Sequence, residues 1–219
     1  MPRWSAAFRM ALPPAGIALA VTLLRLTGEL RGWPEVLFSR ASGGLVPTGG
    51  LSWIVGITWL ALPVGAWLAW TLVCSDAKAP PFARAVLVAV SALVALYAGT
   101  RLVPRLELGY PGFLLAIWAV GVLAATLAWR AWPAVARVLL AYGVLSRAPV
   151  ALVMLLAMHG HWGTHYDYAD TPRVQELPFW AAYFALAFVP QLVFWVAFTI
   201  VTGMLAATLV AALGRRSPS

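Results

Sequence analysis

Long apolar runs separated by short polar links constrain this chain most strongly. A helix needs about 20 apolar residues to cross a bilayer. On that measure we predict six crossings, with spans at about 10–28, 51–74, 83–103, 112–129, 134–158 and 179–213. The last run is longer than one crossing needs, so we expect a single helix kinked near Pro190. The predicted fold class is all-α: a polytopic membrane protein whose residues 1–219 form one domain, with six transmembrane helices in one bundle.

The composition supports lipid as the solvent. Apolar residues make up 63% of the 219 positions and charged residues only 10%, whereas a soluble domain carries about a quarter charged residues. The net charge of +8 comes from single basic residues at the ends of apolar runs, which is typical of membrane orientation and not of a nucleic-acid surface. We therefore predict membrane lipids as partners, other membrane subunits as a further possibility, and no nucleic acid.

The charge distribution predicts an orientation. Six spans place one group of basic residues on the same side: Arg3, Arg9, Lys78, Arg84, Arg130, Arg137, Arg215 and Arg216. Six of the seven acidic residues fall on the opposite side. The positive-inside rule then places both termini in the cytoplasm. We expect a cytoplasmic (inner) membrane protein of bacterial type, with the loop after the fifth span facing outward.

Charged residues within or beside the spans are the first candidates for chemistry. Arg25 and Glu29 lie four residues apart at the end of the first span, so we predict an ion pair near the interface. Arg147 lies near the middle of the fifth span, where an unpaired charge costs ~3 kcal/mol or more. Tyr142 and Gln191 are polar residues at comparable depth and are its candidate companions.

Two interpretations of Arg147 remain open. As a ligand-binding residue, it would meet a lipid phosphate, a carboxylate or an acid of a partner subunit. As a structural residue, it would join helices through backbone carbonyl groups. Pro149 favours such contacts, because it has no N–H to donate to the carbonyl of Leu145.

The outward loop holds all three histidines. His159, His161 and His165 are followed by Asp167 and Asp170, and imidazoles with nearby carboxylates are ligands for zinc and other divalent ions. The spacing matches no standard zinc signature. The alternative is a solvated loop at the interface, where Trp162 and Tyr166 form an aromatic belt or contact a ligand.

The segment Trp162–Gly163–Thr164–His165–Tyr166–Asp167–Tyr168 resembles the W-G-x-x-W-x-W-D loop of cytochrome c biogenesis proteins that handle haem. Two of the expected tryptophans are Tyr166 and Tyr168 here, and the aspartate is displaced to 167. The resemblance implies contact with haem or an aromatic ligand. Haem thus joins a divalent metal as a candidate cofactor.

These features support three classes of function. The first is a non-catalytic module that binds a small ligand or a partner subunit through Arg147 and the loop 159–170. The second is a metal-dependent membrane enzyme acting on a lipid-like substrate, with His161, His165, Asp167 and Asp170 supplying metal ligands and an acid or base. A transporter or a haem-handling protein is the third.

Overall fold

The computed structural model describes residues 4–40, 50–74, 80–167 and 177–214, and these ranges contain helices and turns but no β-strand. The helices, in chain order, are α1 (Trp4–Leu30), α2 (Ala61–Cys74), α3 (Phe82–Leu102), α4 (Tyr110–Trp129), α5 (Pro133–Gly160) and α6 (Phe179–Gly214). All of them except α2 are long and apolar enough to cross a membrane. The chain is a multi-pass, all-α membrane protein, as its sequence predicts.

The first two helices begin at different places from those predicted. Helix α1 starts at Trp4, and Pro13 and Pro14 lie inside it. The second apolar run is helical only from a 3₁₀ turn at Thr58–Leu60 onward. This later start places Pro63 in the first turn of α2. A backbone N–H at this position would have no hydrogen-bond acceptor within the helix, so proline is tolerated there.

Helix α6 lies at the centre of the described bundle. Its long C-terminal part packs on α2, α3, α4 and α5, whereas α1 packs mainly on α5. The contact with α2 brings two backbones together, since a Cβ on Gly65 would overlap the carbonyl group of Gly203. Small residues at such crossings allow the close packing that holds helices together in lipid.

Two widened π-type turns interrupt α6, at Phe184–Phe188 and at Pro190–Phe194. Pro190 has no backbone N–H to donate to the preceding turn, and a π-type turn accommodates the missing hydrogen bond. The two turns occur where the sequence predicts a kink. The second π turn carries Gln191, which is buried, and so it sets the direction of this side chain into the bundle.

Candidate functional site

Arg147 projects from the middle of α5 into the bundle and is only 5% exposed. Its Nη2 donates to Oγ1 of Thr58 at 3.1 Å, and its Nη1 donates to Oε1 of Gln191 at 3.4 Å. The guanidinium carbon also lies 5.0 Å from the centre of the Trp195 ring, a cation–π distance. Thr58 before α2 and two residues of α6, Gln191 and Trp195, therefore meet the guanidinium of Arg147 on α5.

Two residues were predicted to lie near Arg147, and one of them, Gln191, contacts it in the structure. Gln191 contacts the guanidinium and donates from Nε2 to Sδ of Met154 at 3.5 Å. Tyr142 is 1% exposed and belongs to the same helix, five residues earlier in the chain. The sequence did not indicate Thr58 and Trp195, because a hydroxyl group and an indole ring are common in apolar segments and only the tertiary packing brings them to Arg147.

A second polar cluster lies at the C-terminal end of α1. Glu29 is 1% exposed, although it is charged. Its Oε1 accepts from Nε of Arg25 at 2.9 Å, which confirms the predicted ion pair. Its backbone carbonyl accepts from Nε and Nη2 of Arg40, at 3.2 and 2.7 Å. This environment gives Glu29 the partners that a buried carboxylate needs.

His165 joins that cluster from the loop after α5. Its backbone N–H donates to Oε2 of Glu29 at 3.0 Å. Its ring Nδ1 lies 2.6 Å from Oε1 of Glu29, without the alignment of a good hydrogen bond. Burial lowers the pKa of His165 below its usual value of 6.5, and this effect outweighs the nearby Glu29 carboxylate, which acts in the opposite direction. The ring is therefore neutral at pH ~7.

The rest of this segment forms a closed turn. Asp167 accepts hydrogen bonds from the backbone N–H of Gly163 at 2.7 Å and from the hydroxyl of Thr164 at 2.7 Å. Tyr166 is 5% exposed and its hydroxyl lies 3.5 Å from the carbonyl oxygen of Thr22 in α1. Burial raises the pKa of Tyr166 above its usual value. Asp167 thus closes the turn, and Tyr166 packs the loop against α1.

The predicted metal ligands do not converge in the described part of the chain. His159 is exposed and its ring meets that of Phe179 edge-on at 5.7 Å. His161 is also exposed and adopts the left-handed conformation that ends α5. Among residues 4–40, 50–74, 80–167 and 177–214, no three His, Cys, Asp or Glu side chains form a group that could hold a metal ion. Asp170 lies outside these residues.

The segment that resembles the haem-handling loop is divided between surface and interior. Trp162 is 37% exposed in the loop after α5, so it is accessible to a ligand. Tyr166 lies in the interior, and Asp167 closes the turn. Its last residue, Tyr168, lies outside the described residues. The described part does not form one continuous exposed platform.

Comparison of the chain with protein-family models, curated proteins and solved structures gives no match.

Proposed function

We propose that this protein is a non-catalytic multi-pass membrane protein that binds the anionic group of a lipid-like ligand at Arg147. The supporting observation is the buried guanidinium, whose orientation is fixed by Thr58, Gln191 and Trp195. These three groups are uncharged. They hold the guanidinium in a fixed orientation within the bundle.

The chemistry of the guanidinium selects the class of ligand. Its planar set of N–H donors matches the geometry of a phosphate or a carboxylate. In a medium of low dielectric constant, the attraction between opposite charges is several times stronger than in water. A headgroup or carboxylate that reaches Arg147 would therefore be held firmly, while its hydrocarbon chain stays in the bilayer.

The proposed location is the cytoplasmic (inner) membrane of a bacterial-type cell, with both termini in the cytoplasm. In this orientation, Arg130 in the α4–α5 connection and Arg137 near the start of α5 lie on the cytoplasmic side. The Glu29 cluster and the histidine loop lie on the outer side. The ligand would then reach Arg147 from the outer leaflet, because Thr58 belongs to the outer connection between α1 and α2.

A lipid-binding measurement tests the proposal. The purified protein in neutral detergent would be mixed with phosphatidylglycerol or with oleate, and bound molecules would be counted by native mass spectrometry. We expect Arg147→Met to weaken binding at least about tenfold, because it removes the charge that the anion meets. Preference for one additive would show whether the group is a phosphate or a carboxylate.

Arg101→Met is the matched control. Arg101 is an exposed arginine near the end of α3, with its guanidinium 5.3 Å from the centre of the Tyr97 ring, so its loss should leave binding unchanged. If Arg147→Met does not fold, Arg147→Lys keeps the charge but not the planar donors, and should bind more weakly than the native protein. Equal binding by native protein and the Arg147 variants, or no binding of either additive, would refute the proposal.

A further inference from the structure

Residues 50–60 of the outer α1–α2 connection, which we call the strap, lie between two arginines. On one side, Gly56 lies beside Arg25 of α1: a Cβ added to this glycine would be 3.7 Å from Nη1 of Arg25. On the other side, Oγ1 of Thr58 accepts the hydrogen bond from Nη2 of Arg147 in α5 at 3.1 Å. Only one residue separates these two contacts. The strap therefore joins the outer polar cluster to the intramembrane arginine.

Residues 50–57 of the strap have an irregular backbone and do not form a spanning helix. Residues 50–57 form turns that are closed by bonds within the strap, such as Gly56 N–H to the Trp53 carbonyl at 3.1 Å. Its inner face buries Ser52, Ile57 and Leu60, whereas Leu51, Trp53 and Ile54 are exposed. Non-helical backbone at membrane depth is tolerated where it packs on protein or lines water. Segments of this type open at a lower free energy than helices do.

The position of Arg25 depends on Glu29 and, through it, on His165. Glu29 fixes Nε of Arg25 at 2.9 Å, and Nη2 of Arg25 lies 3.5 Å from the backbone oxygen of Ser39. The same carboxylate accepts the backbone N–H of His165 at 3.0 Å. The outer loop, α1 and the strap are therefore connected through the Glu29 carboxylate.

We propose that the strap closes the Arg147 site from the outer side, and that the Glu29 carboxylate acts as its latch by holding Arg25 against Gly56. Release of the latch uncovers Ile57 and frees Thr58 from Arg147. The inference that this movement admits a ligand depends on the function proposed for Arg147. The inference that the strap closes the site does not depend on it.

Cysteine labelling tests the latch without any ligand. Ile57→Cys would be introduced into a Cys74→Ser background, and the protein in lipid nanodiscs would be treated with a membrane-impermeant maleimide. Ile57 is 8% exposed, so the native latch should keep labelling slow. We expect Glu29→Gln to raise the labelling rate about tenfold or more, because it removes a hydrogen-bonded charge.

Leu51→Cys is the matched control, since Leu51 lies in the same strap but is exposed. Its labelling rate should be equal with and without Glu29→Gln. If Glu29→Gln does not fold, Thr58→Val removes the inner contact of the strap and should also raise labelling at position 57. Unchanged labelling at 57 in the folded variants would overturn the latch, whereas loss of lipid binding alone would overturn only the function proposed for Arg147.

Discussion

At the scale of single residues, this protein buries charge in two different ways. Glu29 is surrounded by charged and N–H donor groups, including Arg25 and the backbone of His165. Arg147 instead meets a hydroxyl group, an amide oxygen and an indole ring. The donors around the Glu29 carboxylate suit a structural joint. The planar N–H donors of Arg147 suit the anion binding that we propose for it.

The half-buried ring of His165 leads to a prediction about pH. Burial lowers its pKa in the folded protein below the usual value of 6.5, so around pH 6.5 and below the unfolded chain binds more protons than the folded protein does. Stability from the neutral ring is therefore fully present above that value and is lost as the pH falls toward the folded pKa. The unfolding midpoint in mixed detergent micelles, measured from about pH 7.5 to about pH 5.5, should decrease.

His165→Gln identifies the source of that decrease. Glutamine retains the backbone N–H that bonds to Glu29 but does not titrate in this range. The variant should have a flatter dependence on pH than the native protein. If both proteins lose stability equally between about pH 7.5 and about pH 5.5, another group is responsible.

At the scale of helices, close contacts decide which glycines can be replaced. Gly65 in α2 faces the carbonyl of Gly203 in α6, and a Cβ there would overlap it. We expect Gly65→Ala to lower the free energy of unfolding by about 1–3 kcal/mol, because neither backbone can move away cheaply. Denaturation with sodium dodecyl sulfate would measure the change.

Gly16→Ala provides the comparison. Gly16 lies inside α1 and nothing is within 4 Å of its Cβ position. Alanine there should leave stability unchanged or raise it by up to about 1 kcal/mol, since it restricts the unfolded chain. Equal destabilisation by the two substitutions would contradict the close α2–α6 crossing.

At the scale of the whole molecule, the predicted orientation places the two ends of α5 on opposite sides of the membrane. His159→Cys, near the end of α5, should react with an impermeant maleimide in intact cells that carry the Cys74→Ser background. Arg130→Cys, in the connection before α5, should react only after the membrane is permeabilised. Both positions are exposed in the structure.

The reverse labelling pattern would show that the orientation is inverted. Labelling of both positions from one side would show that α5 does not cross the membrane.

The amino-acid sequence by itself determined the membrane environment and the all-α fold, because long apolar runs have few stable alternatives in lipid. It also determined the Arg25–Glu29 pair, since the two residues are one helical turn apart. Only the tertiary structure placed Thr58 and Trp195 at Arg147, and the backbone of His165 at Glu29. These contacts join segments that are distant along the chain, and helical periodicity does not specify which faces of different helices meet. For the same reason, His159, His161 and His165 looked like a metal site in the sequence, yet the described structure gives each a different environment.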